Sequence, residues 1–301
     1  MNYYNEIKSR LIDNEVYKRV KDYSKNKNDL STYYEVGRLL IEAQGGEERA
    51  KYGDNLIKEY SKRLTNELGK RYSMTTLKYM RQFYLLFEKS QPVVDQLTWS
   101  HYCELLPLKD INEINYYIDI TEKYNLSKRQ LREKIKSHEY QRLDDNTKLK
   151  LINKEEASVS DFIKNPIVIK NKYNYDINAI SERILQNLIL EDIPSFLEEL
   201  GEGFTFIKNE YKIKIGNTYN YINLLLFNYL YNCFIVVELK VTEIKKEHIG
   251  QIQIYMNYID KHLKSINQDK TIGIIIVRRD NGYYIEYSSD TRIYTRDYIL
   301  S

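Results

Sequence analysis

The chain has 301 residues, enough for two domains with separate cores. Its 46 Lys and Arg against 43 Asp and Glu leave a net charge of only +3, so no global basic field marks a nucleic-acid partner and any such signal is local. Cys103 and Cys233 stand apart, with no CxxC and no Cys/His cluster at metal-ligand spacing, which argues against a disulfide scaffold or a zinc site and fits a reducing, cytoplasmic setting.

The N-terminus, MNYYNEIKSRLIDNE, is charged throughout and reads as neither signal peptide nor anchor. Apolar residues at three and four spacing then predict helices over Ile7–Tyr23, Tyr33–Ile41, Leu56–Leu68, Met74–Phe87 and Ile111–Tyr124. Gly45-Gly46 and Gly69 supply stops, Ser73 an N-cap, and Ser127 with Gln130 a capping box ahead of LREKIKSHEYQRL. Positive charge concentrates on two of these elements. Lys62, Arg63, Lys70, Arg71, Lys78 and Arg81 face Glu67 alone, and Lys128, Arg129 and Arg132 sit in a second basic run opposed by Glu133 and Glu139. Lys70, Arg71, Lys78, Arg81, Lys128, Arg129 and Arg132 are therefore the candidate phosphate contacts, against the alternative that they are solvated helix faces.

Residues 146–175 lose periodicity and contain Pro166, which predicts a linker between a helical domain at 1–145 and a second domain at 176–301. The second domain reads as a helix over Ile177–Leu200, then the β-rich runs GFTFI, YKIKI, YNYINLLLF and CFIVVELKV, a helix EHIGQIQIYMNYIDKHL, and a buried strand TIGIIIVRR. That is a small α/β sheet with helices packed on it. Ile215 to Val237 carries no charge and is long enough to span a bilayer, but its asparagines and a Gly-Asn turn favour a β-hairpin. Thirty tyrosines could offer stacking platforms, although scattered Tyr more often packs with its ring inside and its hydroxyl wet.

On a strand, Glu238 and Lys240 project to one face while Val237 and Leu239 face the other way. A carboxylate there can hold a divalent metal, and an ammonium beside it can orient a water and offset charge on a pentacovalent phosphate. E-x-K alone is a weak signal, since Glu and Lys pairs are common on solvated strands. Here the pair follows the apolar run Phe234 to Val237, which places it at the lip of a cleft. His101 and Cys103, at i and i+2, point apart on a helix and make no nucleophilic pair. His248 reads as a helix-surface histidine and Trp99 as core. No P-loop or dinucleotide fingerprint implies a nucleotide cofactor.

Several stretches together resemble the YhcG-like family of PD-(D/E)XK nucleases: YGDNLIKEYSKRLTNELGKRYSMTTLKYMRQFYLLF, QLTWSHYCELL, FLEELGEGFTFI, VVELK and GQIQIYMNYID. The resemblance spans nearly the whole chain. It implies a helix-turn-helix-like helical domain that binds DNA or a partner or mediates homo-oligomerisation, followed by a restriction-endonuclease-like α/β domain for Mg²⁺- or Mn²⁺-dependent cleavage of DNA. It further implies Glu182, Glu238 and position 223 as metal ligands, Lys240 as the water-orienting cation, and Gln251 and Tyr255 as residues lining the site.

Two positions depart from that pattern. Where the family has an aspartate this chain has Asn223, with no other acid between Tyr211 and Val237, and an arginine usual near Asn209 is missing. A carboxamide offers the metal a neutral oxygen in place of an anion. An introduced inactivation, a natural loss of catalysis that leaves a nucleic-acid-binding or assembly protein, and a weakly active site all remain open on sequence alone.

Overall fold

The computed structural model describes residues 3–20, 25–46, 54–88, 97–156, 158–279 and 290–301, in two compact units, 1–140 and 141–301. The first unit is helical: α1 (Tyr3–Val20), α2 (Lys25–Ala43), α3 (Asp54–Leu68), α4 (Met74–Glu88), α5 (Trp99–Leu105), α6 (Ile111–Tyr124) and α7 (Lys128–Lys136). Residues 21–23, the end of the first expected helix, lie outside the described residues. Ile7 and Leu11 of α1 meet Val36, Leu39 and Leu40 of α2, Ile57 and Leu64 of α3, and Leu77 and Met80 of α4 in one core. Gly37 is required there, because a Cβ on it would stand 2.1 Å from the Met80 carbonyl oxygen.

The expected punctuation is in place. Thr76 N–H donates to Ser73 Oγ at the head of α4, and Ser127 and Gln130 close their capping box ahead of α7. α7 is shorter than its apolar pattern suggests. It stops at Lys136, and His138 turns the chain with a φ of 53°.

The second unit begins at Gln141, ahead of the stretch expected to be a linker, and takes that stretch in. Residues 146–175 contribute to α8 (Asp145–Asn153), a 3-10 turn at Val159–Phe162 and β1 (Ile167–Ile169), which joins the sheet. The expected helix over Ile177–Leu200 is divided into a 3-10 turn at Ile177–Ala179, α9 (Glu182–Glu191) and α10 (Ile193–Leu200). The break has a local cause: Asp192 leaves helical geometry and caps α10 by accepting from Ser195 N–H, with Pro194 in the first turn of that helix.

The rest is β2 (Phe204–Ile215), β3 (Thr218–Asn228), β4 (Cys233–Glu243), α11 (Lys246–His262), β5 (Asp269–Arg279) and β6 (Ile293–Leu300). GFTFI and YKIKI thus belong to one strand. The six strands form a mixed sheet in the order β1-β6-β5-β4-β3-β2, antiparallel from β2 to β4 and parallel beyond. Residues 215–237 form part of this sheet, and no described helix is long and apolar enough to cross a membrane.

Helices cover both faces of the sheet. Leu185, Leu188 and Ile189 of α9 with Phe196 and Leu200 of α10 pack on Leu224, Leu226, Ile235, Val237 and Leu239. Ile252, Tyr255, Met256 and Ile259 of α11 pack on Leu225, Val236, Ile275 and Val277 from the other side. The burial of such side chains, worth about 1.5–3 kcal/mol each, holds the three layers together.

Candidate active site

β3 and β4 are paired from Asn228–Cys233 to Leu224–Val237, and β4 continues beside β5 alone. Asn223 and Glu238 are the next residues at this fork. On β3 and β2 the pairing also skips Asn223 and Glu210, the latter at a φ of 45°. Leu224 faces the α9/α10 layer while Ile222, two residues earlier, faces the α11 layer, so the usual alternation is broken at Asn223. Its carboxamide takes over a ladder position: Asn223 Oδ1 accepts from Leu239 N–H at 2.9 Å.

Glu238 is 2% exposed. Burial pushes its carboxyl up to about 7, against the opposing pull of Lys240 and the Asn223 backbone N–H. One oxygen, Oε2, lies 3.5 Å from Lys240 Nζ, and the other, Oε1, is buried without a hydrogen-bond partner. Val237 and Leu239 look into the opposite layer from Val236, as the E-x-K alternation requires.

Glu182 arrives from a different element. It is the first residue of α9, set by the Ser181 N-cap, and its half-exposed carboxylate places Oε2 3.5 Å from Lys240 Nζ. Lys240 therefore sits between two carboxylates that are 56 positions apart in sequence, itself almost buried. Gln186, one turn further along α9, donates from Nε2 to the Asn223 carbonyl and ties the helix to the fork. Sequence reading missed Gln186. Its signal was a polar residue at i+4 from Glu182 on the apolar side of ILQNLIL.

Gln251 and Tyr255 are joined to each other, Gln251 Nε2 donating to Tyr255 Oη at 2.9 Å, with Tyr255 buried in the α11 layer. No hydrogen bond among the described residues ties either to Glu182, Glu238 or Lys240. His248 is a capping residue: its Nδ1 accepts from Lys245 N–H at the start of α11. His101 likewise caps α5 by accepting from Thr98 N–H, and burial pushes the Cys103 thiol up to about 11, which removes the nucleophilic reading of that pair.

The donor set suits a hard divalent cation in kind: two carboxylates and an amide oxygen, one carboxylate oxygen being buried and unpartnered. It is one anion short at Asn223, and no cluster of three or more His, Cys, Asp or Glu side chains able to hold a metal occurs among the described residues.

Residues 162–298 match the model of the YhcG PDDEXK nuclease domain, and residues 9–142 match the DUF1016 N-terminal domain. Each unit thus matches a domain model of the YhcG-like family. A curated relative, described as "Putative nuclease YhcG" of Escherichia coli (strain K12), is 28% identical over 285 residues, covering 82% of this chain and 76% of the relative. Two solved structures are similar at 19% identity and a TM-score of 0.31: a repair endonuclease from Pyrococcus abyssi, over 41% of this chain, and the EndoMS-dsDNA2 complex, over 42%. This chain spans about half the length of each, 48%.

The candidate phosphate contacts of this YhcG-like chain lie in the helical unit. Lys70 and Arg71 are exposed on a 3-10 turn between α3 and α4, and Lys78 and Arg81 are half-buried on α4, where Arg81 donates to Gln44 at 3.4 Å. On α7 the cations have acidic neighbours. Arg132 makes a two-pronged contact with Glu104 at 2.9 and 2.7 Å, Lys128 lies 3.4 Å from the same carboxylate, and Arg129 bonds Glu133 at 3.0 Å.

Proposed function

We propose that the second unit is a metal-dependent DNA endonuclease domain that hydrolyses phosphodiesters at the β3/β4 fork, weakened by Asn223. The observation that carries this reading is the buried Glu238 carboxylate, with one oxygen unpartnered and the other beside Lys240. A structural ion pair would satisfy both oxygens, because leaving a buried one bare costs about 1–3 kcal/mol.

Mg²⁺ or Mn²⁺, held by Glu238 and Glu182 with the Asn223 amide oxygen as a neutral donor, would supply Lewis-acid stabilisation of charge on the phosphate. Lys240 orients a water or a phosphate oxygen through Nζ, and its place between Glu182 and Glu238, 3.5 Å from a carboxylate oxygen of each, positions it for that task. Gln186 holds Asn223 and α9 in register. Gln251 and Tyr255 support the α11 side of the site as a bonded pair. The helical unit serves as a helix-turn-helix-like module for DNA or for a second copy of the chain, with Lys70, Arg71, Lys78 and Arg81 as its phosphate contacts.

A second reading, a non-catalytic nucleic-acid-binding or assembly protein, is favoured by one observation: Asn223 Oδ1 is already engaged by Leu239 N–H. Plasmid, linear, branched and single-stranded DNA offered with Mg²⁺ or Mn²⁺ separate the two. Asn223→Asp is expected to raise cleavage at least about 100-fold over the parent chain, and Lys240→Ala in that background to abolish it. A folded Asn223→Asp chain that cleaves none of these substrates would sink the nuclease reading.

A further inference from the structure

Beyond the fork, β2 and β3 continue as a two-stranded ribbon that β4 no longer accompanies, from Tyr211–Ile222 to Ile215–Thr218. Its two faces differ sharply. Ile213 and Ile222 are buried with Tyr211 and Ile215 in the α11 layer. The opposite face carries Lys212 directly across from Tyr221 and Lys214 across from Tyr219, and all four side chains are exposed.

The exposure is unusual for aromatic side chains on a strand: Tyr219 is 56% exposed and Tyr221 52%. Lys212 Nζ stands 3.8 Å above the Tyr219 ring and Lys214 Nζ 5.9 Å from it. Among the described residues neither lysine has a carboxylate within ion-pair distance, whereas the cations of α7 do. Two cations resting on an aromatic face keep their charge available, and a cation over a ring is worth only about 0.5–1 kcal/mol at an exposed site. The ribbon joins the candidate site directly, since Tyr221 is two residues from Asn223.

We propose that this ribbon face binds a single-stranded segment of the nucleic-acid substrate next to the scissile phosphate. Lys212 and Lys214 hold the backbone and Tyr219 and Tyr221 stack on unpaired bases. The pairing of unneutralised cations with exposed rings suits an anionic polymer whose bases are accessible, and duplex DNA hides the ring faces that tyrosine would meet. The choice of nucleic acid as partner rests on the nuclease reading above. The contact is independent of metal and of catalysis.

Binding of the full chain to fluorescent single-stranded and duplex oligonucleotides, titrated from about 50 to 200 mM salt, tests it. Lys212→Ala with Lys214→Ala is expected to flatten the slope of log affinity against log salt by about 1.4 for the single strand, and arginine at both positions to restore it. Tyr219→Ala with Tyr221→Ala is expected to weaken single-strand binding about tenfold or more while sparing the duplex. An unchanged affinity and slope in the lysine variant overturns the proposal, as does equal loss on both substrates in the tyrosine variant or a parent chain that binds neither oligonucleotide at the lowest salt. If the ribbon variants lose binding as expected but Asn223→Asp cleaves nothing, the nuclease reading falls and the ribbon assignment stands.

Discussion

Glu139 of the helical unit and Glu238 of the sheet unit are both buried almost completely, and the two are treated in opposite ways. Glu139 of the helical unit is 5% exposed, accepts from Tyr116 Oη at 2.8 Å, and lies 3.1 Å from Lys134 Nζ. Glu238 of the sheet unit is 2% exposed and leaves one oxygen with nothing to accept from. A buried carboxylate that is fully engaged contributes to fold stability, while one held with an open oxygen costs stability and is available for chemistry. Charge at the two surfaces shows the same division. The α7 cations are answered by Glu104 and Glu133, and the ribbon lysines rest on tyrosine.

The largest effect that could break this contrast is on Glu139. Glu139→Leu strips the partner from Tyr116 and Lys134 and is expected to destabilise the helical unit by about 3 kcal/mol. Trp99 provides the readout: it is the only tryptophan, and it packs edge to face on Phe83 within this unit, so its fluorescence reports on unfolding there. A loss under about 1 kcal/mol would mean Glu139 is no better supported than a surface acid.

Glu238→Gln is expected to act in the other direction. The folded carboxyl titrates at about 7 against an ordinary value of 4.5, so between those values the folded chain binds more protons than the unfolded chain and loses stability as pH rises. Above about pH 7 the full cost is present, at most about 3 kcal/mol. Glutamine removes it. With chelator present, the variant should exceed the parent in stability at pH 8 and match it near pH 4.5, as measured by hydrogen exchange of the β4 and β5 amides. A variant that is less stable at pH 8 would show that Glu238 belongs to the scaffold like Glu139.

The same contrast explains what could be read without the fold. E-x-K gave the shared face of Glu238 and Lys240 because strand alternation is a local property, and the Ser127 capping box was legible for the same reason. Glu182 and Asn223 were placed by resemblance, since nothing within ten residues of either points to the other. β6 went unrecognised because Arg296 and Asp297 interrupt its apolar pattern. Arg296 bonds the Ser160 and Ile163 carbonyls, and Asp297 N–H donates to Asn165, partners more than 130 positions away. β1 was hidden similarly, three residues whose only strand neighbour among the described residues is β6. The break between α9 and α10 was legible in principle, with Asp192 and Pro194 in sequence, but the continuous apolar period across them concealed it.

The smallest expected effect sharpens the comparison at the surface. Glu104→Gln removes the carboxylate shared by Lys128 and Arg132, and because the pairs are solvent-facing the stability cost should be about 1 kcal/mol or less. Its consequence for binding is more telling. If α7 contacts phosphate, releasing two cations should strengthen duplex binding and steepen its salt dependence, because each phosphate contact displaces counterions. If affinity and slope stay at parent values while the ribbon variants lose theirs, Lys128, Arg129 and Arg132 are a neutralised structural surface. The cations that matter to nucleic acid would then be those the fold leaves without acids, Lys212 and Lys214 among them.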